Sequence, residues 1–354
     1  MEIDILGRKV GLQHSTYFIA DIAANHDGDL ERAIDLIRLA KQAGADAAKF
    51  QNFRAPKIVS EYGFKSLGGK LSHQAKWEKS VVEVYEDASI PFEWTPTLKE
   101  ACDKLDIHYF SSPYDYEAIE MLDPYVPAYK AGSSLITWPQ AIVRMAQFGK
   151  PILIATGDAD MRDVERVMEQ VLPINKQVVL MQCNTNYTAS EGNYDHLHLN
   201  VLKTYAVRWP GVTLGLSDHT QSAAPVVGAV ALGARVIERH FTDSNDREGP
   251  DHKFALNPQN WANMVEEVRI LERALGSSEK FVAENEKDTY IVQRHCLRVA
   301  RAVKTGETFT EEMLEVLRPA TSGALMAWDL PQVLGKKAAS DLPFGKELRW
   351  EDLI

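Results

Sequence analysis

From Tyr17 onward the chain repeats one pattern. A short apolar or β-branched run is followed by a polar or glycine-containing loop, then by a stretch with apolar residues at helical spacing. The runs that predict strands are Tyr17–Ile22, Asp46–Phe50, Ile107–Ser111, Ala128–Ala131, Ile152–Ala155, Val178–Cys183, Val212–Leu216 and Arg235–Phe241. Helices are predicted near Asp29–Ala43, Leu98–Leu105, Tyr116–Leu122, Pro139–Phe148, Asp160–Leu172, His196–Trp209, Ser222–Leu232 and Pro258–Leu275. Asp29 suits the N-cap of the first helix and Gly44 its C-terminal stop. Ahead of the repeat, Ile3–Leu12 reads as a hairpin turning at Gly7 and Arg8. Gln51–Phe92 is longer than an ordinary strand-to-helix connection; it is expected to act as a lid, with a helix over Lys76–Ala88.

Eight strand–helix units over residues 1–276 predict a closed parallel (β/α)8 TIM barrel, an α/β fold. A doubly wound open sheet is the runner-up. The loop after the first strand, in DIAANHDGD, lacks the glycine-rich phosphate fingerprint that such a sheet would carry there. The charge-rich residues 277–292 read as a linker. Residues 293–354 form a second, mostly β domain of short segments, too small for a generous core and expected to pack on something else.

Composition narrows the function. The net charge is −11 and no basic cluster follows any predicted face, which argues against a nucleic-acid partner. No apolar run is long enough to span a membrane, and the charged start MEIDILGRKV is not a signal peptide. Cys102, Cys183 and Cys296 show no paired spacing, as expected of reduced thiols in a cytoplasmic protein.

Barrel enzymes place their chemistry at the C-terminal ends of the strands. Those positions hold Asp21; Lys49 and Gln51; Ser111 and Ser112; Lys130, Ser133 and Ser134; Thr156; Asn184, Thr185 and Asn186; Ser217, Asp218 and His219; and Glu238 and His240. Two lysines ending apolar runs, in AAK and AYK, point to an anion site completed by the hydroxyls of Ser112, Ser133 and Ser217. A lysine that snorkels to the surface or forms a Schiff base is the alternative at either position. His219 and His240 end neighbouring strands and are flanked by acids, a pairing that suits one divalent metal with open coordination positions. Side chains alternate along a strand, so Glu238 shares a face with His240. His26 and His252 are outside candidates.

The stretches IADIAANHDGDL, AAKFQNF, AYKAGSS, ATG, GLSDHT and ERHFTD…REGPDHK, in this order, resemble the sialic acid (N-acetylneuraminate) synthase family. KTGETFTEEMLEVLRPATSG and LGKKAASDLPFGKELRWEDL resemble that family's C-terminal SAF, or antifreeze-like, domain. The resemblance implies a transferase that condenses phosphoenolpyruvate with the open-chain aldehyde of an N-acetylated hexose such as N-acetylmannosamine. Its products are a 2-keto-3-deoxy nine-carbon acid and phosphate. It assigns Lys49, Ser112, Lys130, Ser133 and Ser217 to phosphoenolpyruvate, and Thr185 is counted with them. It assigns His219 and His240 to manganese, with magnesium or cobalt as alternatives, and Asp21, Gln51, Tyr187 and Asp251 to the sugar. Asp21, Lys49 and Lys130 are the expected catalytic groups, with Asp21 moving a proton directly or through water. Arg318 is expected to reach the partner subunit's site in a domain-swapped homodimer.

Four departures concern the sugar and phosphate positions. Asp21 stands where the family has Glu, Leu135 where a sugar-contacting Glu is common, and Ala155 where a serine belongs to the phosphate shell; the asparagine of a CTN-type motif is displaced within Cys183–Tyr187. The acceptor is therefore expected to be an amino sugar related to N-acetylmannosamine, such as the diacetamido-trideoxyhexoses that lead to legionaminic or pseudaminic acids. A related barrel using a phosphorylated aldose, and an inactive sugar-binding homologue, are the competing readings.

Overall fold

In a computed structural model that describes residues 2–67, 74 and 77–354, the chain divides into two compact units, Met1–Gly276 and Ser277–Ile354. The first opens with a hairpin, β1 (Ile3–Ile5) and β2 (Arg8–Val10). Eight strands follow: β3 (Tyr17–Asp21), β4 (Ala47–Asn52), β5 (His108–Pro113), β6 (Tyr129–Ala131), β7 (Ile152–Ala155), β8 (Val178–Cys183), β9 (Thr213–Asp218) and β10 (Ala234–His240). All neighbours pair in parallel, in the order β5-β4-β3-β10-β9-β8-β7-β6. The first and last strands of the series are bonded to each other, from Val236 opposite Tyr17 to His240 opposite Asp21. β5 and β6 lie side by side without a ladder, so the cylinder is nearly closed, with one unbonded seam.

The alternation of side chains along each strand separates two cores. Phe18, Ala20, Tyr129, Ile154, Leu180 and Ile237 face outward and pack under the helices. Tyr17, Ile19, Ala47, Phe110, Ala128, Leu153, Val179, Met181 and Val236 face inward and, with Ile3, Ile5 and Val10 of the hairpin, fill the lower barrel. The helices begin where the sequence supplies caps. Asp29 accepts from Glu31 and Arg32 ahead of the helix Leu30–Gln42, and Asp160 accepts from Arg162 and Asp163 ahead of Met161–Val171.

Several boundaries differ from expectation. The helix predicted from His196 starts at Val201, because Glu191–His196 forms a 3-10 turn. The long connection after β4 holds three helices, Ala55–Ile58, Glu61–Ser66 and Val81–Ala88; Lys76, the predicted start of the last, lies outside the described residues. No helix among the described residues is long and apolar enough to cross a membrane.

In the second unit, β11 (Cys296–Val299) pairs antiparallel with β12 (Leu314–Leu317). It buries a small cluster of its own, including Leu297, Val299, Phe309, Leu325, Leu342 and Leu348. The stretch read as a linker contains a short exposed helix, Lys287–Val292.

Candidate active site

The inward series that packs the barrel floor continues to its mouth as polar residues. Two positions above Ile19 comes Asp21; above Ala47, Lys49; above Phe110, Ser112; above Ala128, Lys130; above Gly215, Ser217; above Val236, Glu238 and then His240. On these six strands one face thus supplies an apolar floor and a polar ceiling, and both ends of that series are buried.

The charges are tightly matched. Lys49 Nζ lies 2.6 Å from Asp21 Oδ2 and 3.3 Å from Ser112 Oγ. Lys130 Nζ lies 3.2 Å from Glu238 Oε1, which accepts from Ser217 Oγ at 3.3 Å and sits 4.0 Å from Lys49 Nζ. Gln51 Nε2 donates to Asp21 Oδ2 at 3.2 Å. Neither lysine reaches solvent, which removes the snorkelling alternative.

Burial, Glu238 and the lysines pull the two carboxyl groups apart. Burial raises the Asp21 carboxyl above its ordinary value, against the opposing pull of Lys49. Burial works the same way on Glu238, but Lys130 and Lys49 outweigh it and hold that carboxyl below its ordinary value. Burial also opposes the charge of Lys49, yet Asp21 and Glu238 prevail and raise it, so it stays an ammonium ion. A neutral Schiff-base amine is disfavoured there. Burial pushes the Cys183 thiol up to about 11, so it is no nucleophile beside this cluster.

His219 and His240 stand with ring centroids 5.4 Å apart, and Phe254 and Tyr187 pack against both. Burial lowers both imidazoles, His219 to about 4, and keeps them neutral, as a metal ligand must be. His219 Nδ1 lies 2.8 Å from the Asn184 carbonyl; donating there leaves Nε2 with its lone pair. His240 Nε2 is 3.7 Å from Asp21 Oδ2 and its Nδ1 is 3.8 Å from Asp251 Oδ2, beyond hydrogen-bonding reach. Buried His240 Nδ1 and Glu238 Oε2 both lack a hydrogen-bond partner among the described residues. Buried polar atoms are rarely left so, and a bound cation and substrate would complete them. No group of three or more His, Cys, Asp and Glu residues is gathered for a metal among the described residues. The residues fit an ion held by two imidazoles, with its other positions open to substrate and water.

Above this cluster a cavity of about 490 Å³ is lined by Gln51, Ser133, Asp158, Thr185, Tyr187, His240 and Asp251, and by aromatic side chains including Phe53, Tyr85 and Tyr114. Asp251 Oδ2 accepts from Ala24 N at 3.2 Å. Ser133 Oγ accepts from Gly157 N at 3.1 Å. Leu135 is buried and apolar, and Ala155 offers no hydroxyl at the end of β7.

Most of the expected residues therefore converge. The Thr185 hydroxyl is committed to Asp158, while Arg318 is exposed in the second unit, where it bonds to Gln293. Asp218 points away from the site to Arg239 and Thr220. His252 is a structural residue between Thr242 Oγ1 at 2.7 Å and Asp27 Oδ1 at 2.9 Å. Sequence reasoning placed Glu238 on the face of His240 but gave it no role; only the fold shows that it joins both lysines.

The NeuB family model matches residues 36–280 and the SAF domain model residues 294–354. The pseudaminic acid synthase of Campylobacter jejuni is 33% identical over 95% of this chain and 96% of its own. Human N-acetylneuraminate-9-phosphate synthase is 34% identical over 77% of this chain and 75% of its own. The crystal structure of the Bacillus subtilis spore coat polysaccharide biosynthesis protein SpsE superposes with a TM-score of 0.66 at 27% identity, covering 100% of this chain and 99% of that one. On these matches the chain belongs to the NeuB family of nonulosonic acid synthases, with a SAF domain following its barrel.

Proposed function

We propose that the protein condenses phosphoenolpyruvate with the open-chain aldehyde of an N-acetylated amino sugar and water, giving a 2-keto-3-deoxy nine-carbon acid and phosphate. The observation that carries this reading is the convergence of Lys49, Lys130, Ser112 and Ser217 beneath the His219–His240 pair. Two buried ammonium groups and their hydroxyls suit a small, highly charged donor, and the aromatic-lined cavity above suits a sugar.

Lys49 and Lys130 stabilise the phosphate and carboxylate of the donor, charges present from start to finish. The enol carbon attacks the aldehyde carbon, water adds to the resulting cationic C2, and the tetrahedral centre expels phosphate by C–O cleavage. A divalent cation on His219 and His240, manganese in the first instance, supplies Lewis acidity toward the acceptor carbonyl when bound. Asp21, between Lys49 and His240, holds a proton at the former aldehyde oxygen. Gln51 fixes the Asp21 carboxylate, and Tyr187 and Asp251 border the acceptor.

The altered position Leu135 favours an acceptor other than N-acetylmannosamine, a diacetamido-trideoxyhexose being the leading choice. In the same reading the enzyme is a domain-swapped homodimer and Arg318 completes the partner subunit's site; sizing, and activity regained on mixing two inactive variants, test that arrangement. The central experiment is phosphate release from phosphoenolpyruvate by metal-stripped enzyme, with and without added Mn2+, against a panel of aldoses. Release that needs both metal and an amino sugar supports the synthase. Full activity on N-acetylmannosamine alone would refute the altered acceptor, and silence across the panel would overturn the synthase reading in favour of a phosphorylated-aldose enzyme or an inactive sugar-binding protein.

A further inference from the structure

Asp158 has no part in the chemistry above, yet its backbone and side chain are held in place at the acceptor cavity. It directly follows Gly157, where the chain is tightly confined. A Cβ on Gly157 would stand 2.5 Å from Thr185 Cγ2 and 2.8 Å from Ser133 Oγ. Asp158 itself has φ +55°, a left-handed conformation that glycine adopts at lower cost. The usual reason for an aspartate here, capping the next helix, does not apply, because Asp160 does that. Instead Asp158 Oδ1 accepts the Thr185 hydroxyl proton, and Oδ2 has no partner among the described residues. The carboxylate lines the cavity of about 490 Å³ together with Asp251, and no Lys or Arg lines it among the described residues.

We propose that Asp158 selects the acceptor. Its uncommitted oxygen accepts a hydrogen bond from a hydroxyl or amide N–H of an uncharged amino sugar, and its charge turns away an acceptor that carries a phosphate. Thr185 is the positioning residue that holds the carboxylate in register, so its hydroxyl serves the sugar side of the site. A carboxylate repels a phosphate where it leaves a neutral sugar alone, while a charge-assisted hydrogen bond strengthens the grip on a neutral donor. This inference rests on the synthase reading and adds the acceptor's charge class to it.

The test uses the full-length enzyme with Mn2+ and phosphoenolpyruvate, measuring phosphate release with the panel aldoses, N-acetylmannosamine among them, and with N-acetylmannosamine 6-phosphate. For Asp158→Asn, acceptor kcat/KM is expected to fall about 10–100-fold through KM, with the KM for phosphoenolpyruvate unmoved. The preference for the neutral sugar over its 6-phosphate should shrink about tenfold or more. Thr185→Val should shift both quantities in the same direction by less. Asp158 is exposed, so neither readout depends on rescuing a damaged core. An active wild type whose acceptor KM and phosphate discrimination are unchanged by Asp158→Asn overturns this inference alone. A change confined to the KM for phosphoenolpyruvate overturns it too. A wild type inactive on every acceptor removes the synthase reading and this inference together.

Discussion

Asp21 and Glu238 project from the paired strands β3 and β10 into the same buried space, with Lys49 Nζ 2.6 Å from one and 4.0 Å from the other. Their carboxyl groups are nevertheless driven in opposite directions, Asp21 upward and Glu238 downward. Two acids separated in this way take different tasks. Glu238 remains a fixed counter-charge for the lysines, and Asp21 is the one suited to exchange a proton.

Asp21→Asn keeps the shape and the Gln51 neighbour but removes the proton carrier. It is expected to lower kcat about 10²–10⁴-fold while changing the KM for phosphoenolpyruvate little. Steady-state phosphate release checks this. A loss confined to KM would make Asp21 a binding group only.

Lys130→Met leaves Glu238 buried with only the more distant Lys49, so destabilisation of about 3–5 kcal/mol is expected in chemical denaturation. Adding Glu238→Gln to Lys130→Met should restore part of that stability without restoring activity. Additive losses in the double variant would show that the two side chains are not coupled.

His219→Ala and His240→Ala should each weaken Mn2+ binding by more than the 10–100-fold that typically follows loss of an outer partner. Calorimetric titration of the metal-free enzyme reads this directly, without reference to turnover. Unchanged affinity in both variants would place the metal elsewhere.

Burial lowers the His26 imidazole to about 4, so the folded protein resists a proton that the unfolded chain accepts near pH 6.5. For a depressed base the unfolded state binds more protons between those values. Stability should therefore be full above about pH 6.5 and fall by up to about 3 kcal/mol as pH drops toward 4. His26→Gln should flatten that part of the profile. His219, also lowered to about 4, adds a similar slope that the His26 variant leaves in place.

Much of the architecture was legible in local pattern. β7 and β8 have the predicted bounds, as do the helices Tyr116–Leu122 and Pro258–Leu275, because each is bounded by a proline, a turn or a change of polarity that acts locally. Period-two alternation also carries Asp21, Lys49, Ser112, Lys130, Ser217 and His240 to the barrel mouth, since these residues continue the inward face of a packed strand.

Pairings across the barrel belong to the tertiary structure alone. Glu238 meets Lys130, and Asp158 meets Thr185, only once the strands are wound into a cylinder. The same closure excludes water from the mouth, and with it come the opposed shifts of Asp21 and Glu238 and the neutral imidazoles. The sequence by itself determined which residues stand at the strand ends, because that depends on a two-residue period. Which of them touch, and with what charge, was decided by burial and by contacts between residues far apart along the chain, which no local pattern encodes.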